Sequence, residues 1–420
     1  MRDVYVAGVG MTRFAKYMDR SIKYLAGAAL DLCLADAGVA KKNLEAVWFS
    51  NSTWGYFQNQ QCIRGQVALR ESGIEGLPIT NVENACAGGA TAFHMAWLGV
   101  ASGLYDCTLA IGAEKLYDED KQKMFGAFWT GIDVENISGM MSDWLNVLGN
   151  LKLDIPKSND AEGAGKNRSA FMDIYAGMCR WHMATYGTTQ RQLAIIASKN
   201  HFHSSLNPYA QFQNEMSIEE ILNARPVTYP LTVPMCAPIG DGAAAAILCS
   251  KKFMNKLKNP RPVKVLASLL GSGTSRGIAE EDKDIAVRLS RKGYEMAGIS
   301  PKDIDLAEVH DATAFGELHQ TEALGFCPPG EGGLLAESGA TRLGGRIPVN
   351  TSGGLESRGH PIGASGLGQI NELVTQLRHE AGSRQVEGCR LALAENGGGN
   401  LGFEEAAMGL HILESMKKQL

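Results

Sequence analysis

Cys86 stands in Asn84-Ala85-Cys86-Ala87-Gly88-Gly89, after an apolar run that reads as a strand and before a stretch rich in Gly, Ala and Thr that reads as a helix. A thiol at a helix N-terminus meets the positive end of the macrodipole and free backbone N–H groups. These lower its pKa from about 8.5 and can hold an oxyanion. A packed core cysteine is the alternative, but the strand-to-helix turn favours a nucleophile. A second turn, Gly359-His360-Pro361-Ile362-Gly363-Ala364, opens another small-residue helix. Brought beside Cys86, the His360 imidazole can take the thiol proton; alone, it would only cap a turn.

Two further stretches carry chemistry. His310-Asp311-Ala312-Thr313 follows a strand-like run, at the end where active groups of parallel sheets gather. There His310 can donate to a substrate carbonyl and Asp311 can orient the loop, or the two can form a strand-end salt-bridging pair. Glu395-Asn396-Gly397-Gly398-Gly399-Asn400 is a glycine loop after another strand. No Lys-Ser/Thr follows it, so backbone N–H groups near a reacting carbonyl suit it better than a phosphate cradle. His94 reads as a core residue. His201 and His203 resemble half a metal site without a third ligand, so no metal is expected.

The elements that must position these groups are written twice. Val4–Gly10, Ile22–Ala37, Ala46–Ser50, Ala87–Gly103 and Cys107–Gly112 alternate strand and helix; Val263–Leu270, Ala286–Ala297, Leu306–Val309, Ile362–Arg378 and Cys389–Ala394 repeat the order. Closing strands are expected at Ala243–Leu248 and Ala406–Leu413. Such alternation predicts an α/β protein with a mainly parallel sheet, and two tandem units leave a crevice between them; chance likeness of βαβ units is the alternative. The expected division is a first half at 1–114 plus 229–255, an inserted loop or cap domain at 115–228, and a second half at 260–420.

Composition narrows the class. The 420 residues are 45% hydrophobic and carry a formal charge of −5, which excludes a disordered chain and offers no footprint for nucleic acid or an anionic membrane. No apolar run reaches a membrane span. Nine cysteines at irregular spacing, with no CxxC pair, indicate neither a disulfide framework nor a zinc cluster. The start runs straight into a strand and the final Lys-Lys-Gln-Leu reads as a helix end, so a cytoplasmic location is expected.

Taken together, the Cys86 turn, the His360 block and the terminal glycine loop resemble a thiolase over nearly the full chain. The sterol-carrier-protein branch is nearest, through His182-Met183, Tyr186-Gly187-Thr188, Asn207-Pro208-Tyr209, Asp241-Gly242-Ala243-Ala244-Ala245-Ala246, His310-Asp311, Glu322-Ala323-Leu324-Gly325 and Ser352-Gly353-Gly354-Leu355. The resemblance implies a five-layer αβαβα fold of two pseudo-equivalent halves. It implies acyl transfer through a thioester on Cys86, with His360 as activating base and His310 and His360 polarising a thioester oxygen. The N–H groups of Cys86 and Gly397, beside Asn396, would line a second oxyanion site. Coenzyme A would be a substrate, its pantetheine bounded by the insert, with no tightly bound cofactor. A homodimer is implied, or a hetero-oligomer with a small zinc-ribbon/OB-fold protein.

Two departures set expectations. The second cysteine of most thiolases is replaced by Glu395 or Ala312. Glu395 could become the acid/base if desolvation raises its pKa, or could only brace its loop; water or the released CoA thiolate could also shuttle the proton. Thr313 stands where an aromatic residue is common, which would widen the acyl pocket around Ala312 and Thr313 for a bulky substrate, such as a benzoylsuccinyl-CoA-like ester. Thiolytic cleavage of a β-keto acyl-CoA is therefore expected. Its rivals are acyl transfer to a non-CoA acceptor, a retro-aldolase acting on CoA esters, and a non-catalytic acyl-CoA-binding scaffold.

Overall fold

The computed structural model describes residues 1–153 and 166–416; the final Lys-Lys-Gln-Leu lies outside them. The strands are β1 (Val4–Met11), β2 (Ala46–Ser50), β3 (Ile79–Val82), β4 (Cys107–Glu114), β5 (Pro226–Thr228), β6 (Leu231–Thr232), β7 (Gly242–Ser250), β8 (Val263–Ser272), β9 (Leu306–Glu308), β10 (Leu391–Gly398) and β11 (Ala407–Ser415). Nine form one sheet in the order β3-β2-β4-β7-β1-β8-β11-β10-β9, while β5 and β6 make a separate pair. Read outward from the centre, β1-β7-β4-β2 and β8-β11-β10-β9 are the same arrangement. The halves meet where Val4–Val6 pairs antiparallel with Val263–Val265.

The sheet is mixed rather than mainly parallel. Only β2 with β3, β2 with β4, and β9 with β10 run parallel; β1–β7, β1–β8, β4–β7, β8–β11 and β10–β11 run antiparallel. The cause lies in the closing strands. Residues 399–406 join β10 to β11, too short a link for the crossover that a parallel pair requires. β7 repeats this hand in the first half, although the chain travels through the insert before reaching it.

Helices complete the layers. Ile22–Ala37 packs its Leu25, Ala29, Leu30 and Cys33 on the outer face of the first half. Its ends follow local chemistry: the Ser21 hydroxyl accepts the Tyr24 N–H, and Gly38 closes the helix at φ 63°. Ile285–Ala297 covers the second half in the same way. Between the halves run Gly88–Ala101 and Ser365–Leu377, in one core with Val6, Val9, Ala246, Leu248 and Ala394. They touch through glycine. A Cβ on Gly89 would lie 3.0 Å from the Leu367 nitrogen, and one on Gly366 would lie 2.6 Å from the Ala90 nitrogen. Backbones this close need residues without side chains.

The segment after β4 builds its own cluster from Trp144, Ile174, Cys179, Leu193 and Ile196, which packs on Ala312, Phe315 and Leu318. It thus roofs the second half's strand-end loop. No helix among the described residues is long and apolar enough to cross a membrane.

Candidate active site

The two central helices begin alike. Each starts with a single 3-10 turn, Ala85–Ala87 before one and Ile362–Ala364 before the other. Ala85 is held at φ 47°, a left-handed conformation that costs a residue with a side chain about 1–2 kcal/mol. Gly398 presses against this turn: a Cβ there would lie 2.3 Å from the Ala87 nitrogen and 2.8 Å from that of Cys86. Residues from both halves thereby hold the Cys86 turn in place.

His360 Nε2 lies 3.3 Å from Cys86 Sγ. On the other side of the ring, Nδ1 is 2.7 Å from Ser365 Oγ, whose own proton goes to the Pro361 carbonyl at 3.0 Å. Ser365 must therefore accept from Nδ1–H. This leaves Nε2 bare toward the thiol, the tautomer a general base requires. Burial, followed by the neighbouring His310 and Arg358, holds the His360 pKa well below its usual value. Arg358 is itself fully buried, 3.3 Å from Glu308.

Burial also decides the thiol. The N–H groups of Gly399 and of Cys86 itself point at the sulfur, yet desolvation outweighs them and pushes the pKa up to about 12, with Glu83 adding to the rise. The lowered pKa expected from the helix end is thus overturned. A standing thiolate is disfavoured, and His360 Nε2 is placed to accept the thiol proton.

His310 completes the trio. Asn396 Nδ2 donates to His310 Nδ1 at 3.0 Å, which leaves Nε2–H free to donate. The two imidazoles meet edge to face, 5.3 Å between centroids. Burial lowers the His310 pKa to about 3, so the ring is a neutral donor. Asp311 makes no salt bridge with it. Its carboxylate accepts from the Leu355 and Glu356 N–H groups and from Asn200, and so braces the turn before His360.

Other expected residues fall elsewhere. Glu395 is fully buried behind His310, whose N–H it accepts at 2.8 Å, and it does not line the cavity in front. Burial raises its carboxyl far above the usual range. Gly397 sits inside β10 opposite Met408; Gly398, the last residue of β10, and Gly399 just after it are the ones that line the cavity. Ala312 lines the cavity. Thr313 does not: it is fully buried, and its hydroxyl caps the helix Ala314–Ala323 by accepting the Gly316 N–H. Thr313 therefore does not widen the cavity. His203 holds the Asn350 carbonyl and the Leu343 N–H, and His94 contacts Ser268.

Cys86, His310 and His360 open on a cavity of about 960 Å³. Its walls include Phe125, Phe128, Phe171 and Met172 from the insert, and the exposed Lys121 and Arg225 also line it. Tyr175, Cys236 and Glu405 line it too. None of these three was legible as a site residue; Glu405 sat in the unremarkable loop between the last two strands.

Two family descriptions match this chain. "Thiolase, N-terminal domain" covers residues 4–228, and "Thiolase C-terminal domain-like" covers residues 280–409. The chain belongs to the thiolase family. It is 38% identical to the acetyl-CoA acetyltransferase of Methanothermobacter thermautotrophicus, over 96% of this chain and 98% of that protein. Bovine sterol carrier protein 2 is 37% identical over 96% of this chain and 73% of its own length. The benzoylsuccinyl-CoA thiolase subunit BbsB of Thauera aromatica is 35% identical over 95% of each. Among solved structures, the "Ltp2-ChsH2(DUF35) aldolase" shares the fold, with a TM-score of 0.76 at 23% identity, covering 99% of this chain and 98% of that one. This thiolase is an acyl-CoA acyltransferase, as its relatives and both family domains show.

Proposed function

We propose that this thiolase cleaves a bulky β-keto acyl-CoA with coenzyme A through an acyl-Cys86 intermediate. The observation that carries the reading is the bare His360 Nε2, 3.3 Å from the Cys86 thiol in a cavity shared with His310. His360 takes the thiol proton as sulfur attacks the keto carbon. The resulting oxyanion is held by the N–H groups of Cys86 and Gly399, which turn from the sulfur as it becomes a thioester. Carbon–carbon cleavage leaves an acyl-CoA enolate, whose oxygen receives hydrogen bonds from His310 Nε2–H and the protonated His360. Coenzyme A then takes the acyl group from Cys86.

Size and charge support the substrate class. The cavity is large, aromatic on its insert side, and carries Lys121 and Arg225 for the phosphates of coenzyme A. Likeness to the benzoylsuccinyl-CoA thiolase subunit supports an aroyl-substituted ester. A panel of β-keto acyl-CoA esters, followed by CoA-dependent cleavage and by intact mass, tests this. Aroyl esters should be cleaved faster than acetoacetyl-CoA, with the adduct on Cys86. Turnover surviving Cys86→Ala would establish the retro-aldolase instead. An acylated Cys86 that yields no new thioester with CoA would mean another acceptor, and no labelling at all would mean a scaffold.

Assembly extends the same reading. β3 is one of the two edge strands of the sheet and is partly exposed, so it suits pairing with a second copy. A small zinc-ribbon/OB-fold subunit is a further partner, supported by the word "subunit" in the description of BbsB and by the two-component title of the Ltp2-ChsH2(DUF35) structure. Light scattering should give the mass of at least two chains; a monomer at micromolar concentration would refute the pairing.

A further inference from the structure

The site as described has a base for the thiol and donors for the oxygens, but no group for the proton on the substrate α-carbon. Ala312 has no titratable atom, and Glu395 faces away from the cavity. Glu405 is differently placed. It lines the same cavity as Cys86, His310 and His360 while being 6% exposed, and its Oε2 is buried with no hydrogen-bond partner. Oε1 has only a long contact, 3.4 Å, with Gln320 Nε2. The opposing strand makes room for this carboxyl: a Cβ on Gly397 would lie 2.8 Å from Glu405 Cγ and 3.3 Å from Oε1. A buried carboxyl with an unspent oxygen on a substrate cavity costs stability unless something that enters the cavity uses it.

We infer that Glu405 is the acid/base that moves the α-carbon proton in the thiolase reaction proposed above, a reading on which this inference rests. In the cleavage direction the Glu405 carboxylic acid protonates the enolate carbon, leaving acyl-CoA and a carboxylate. The carboxylate then takes the thiol proton of incoming coenzyme A, whose sulfur attacks acyl-Cys86. The departing Cys86 sulfur recovers its own proton from His360, and every group returns to its starting state. In the condensing direction the same carboxylate removes the α-proton.

The surroundings suit this work. His319 and Gln320 approach Glu405 from the helix Ala314–Ala323, Arg276 from the link after β8, Asp284 from the start of the second half's outer helix, Glu395 from β10 and Tyr175 from the insert. Burial and Asp284 raise the carboxyl to about 6, while His319 and Arg276 restrain the rise. An acid/base near neutrality serves both directions.

Deuterium uptake at the α-carbon of acetyl-CoA and succinyl-CoA in D₂O separates this role from nucleophile chemistry. Glu405→Gln should slow exchange about 100-fold while acylation of Cys86 by a β-keto acyl-CoA, a step that precedes both Glu405 proton transfers, stays within about tenfold, and Glu405→Asp should recover part of the exchange. Exchange undiminished in E405Q, or lost instead in Cys236→Ala, would overturn the assignment and leave the thiolase reading standing. Wild-type enzyme that neither exchanges nor acylates would overturn both. Should E405Q fail to fold, wild-type exchange against pH decides: it should rise through about pH 6 to a plateau, and a flat profile between pH 5 and 8 would refute the role. His310 titrates near 3, His360 lies well below its usual value, His319 stands near 9 and Asp284 near 2, so none produces that inflection.

Discussion

Ser365→Ala would test how the base is set. In the native site the Ser365 hydroxyl spends its proton on the Pro361 carbonyl and accepts the His360 Nδ1–H at 2.7 Å. Removing it strands a buried donor and lifts the preference for the tautomer with a bare Nε2. An unmade hydrogen bond at a buried donor costs about 1–3 kcal/mol. Spent entirely on the protonation state of His360, that is a loss of about 5- to 150-fold in the rate of Cys86 acylation. Substrate affinity should hardly change, because Ser365 is fully buried and absent from the cavity wall. Rapid-quench intact mass after mixing with acyl-CoA reads the acylation rate directly, and its concentration dependence separates binding from chemistry. Acylation within twofold of the wild type would refute the tautomer argument.

Three further perturbations follow from the same geometry. Gly366→Ala places a methyl 2.6 Å from the Ala90 nitrogen and 2.4 Å from Asn396 Oδ1, so it should lower stability by about 1–3 kcal/mol and depress acylation together, read by denaturant melts and mass. Zn²⁺ should inhibit and protect Cys86 from alkylation, because the ligating atoms of Cys86, His310 and His360 all lie within 4.8 Å of one another; alkylation unaffected by Zn²⁺ would count against this packing. His411 is held near 3 by burial, against 6.5 in its ordinary state, so unfolded chains take up a proton that folded ones refuse. Its contribution is present above pH 6.5 and lost as pH falls toward 3, by about 1.4 kcal/mol per pH unit. His411→Gln should therefore flatten the pH slope of stability between 6.5 and 4.5; an unchanged slope would refute it.

Much of this site could be read from residue order alone. The repeat of strand, helix and small-residue turn placed Cys86 and His360 at equivalent points, and the fold brings them within hydrogen-bonding distance. Strand direction was harder, because a strand's own residues do not say which neighbour it pairs with; the short link 399–406 carried that information. Reading pKa from the helix end alone also failed for Cys86, since burial is a property of all surrounding layers. Glu395 and Thr313 carried suggestive side chains at suggestive positions, but each points into the structure behind the cavity. Glu405 was invisible for the opposite reason: its neighbours in sequence describe a loop, and only the fold of β10 against β11 turns it inward.

The glycine seam between the two central helices has one more consequence. Because bare backbone touches bare backbone there, the spacing of sulfur and imidazole is governed by atoms that cannot rotate away or be exchanged for other side chains. The cavity wall, by contrast, takes Phe125, Phe128, Phe171 and Met172 from the insert, different residues altogether. That ceiling can change residue by residue while the thiol and imidazole below keep their distance.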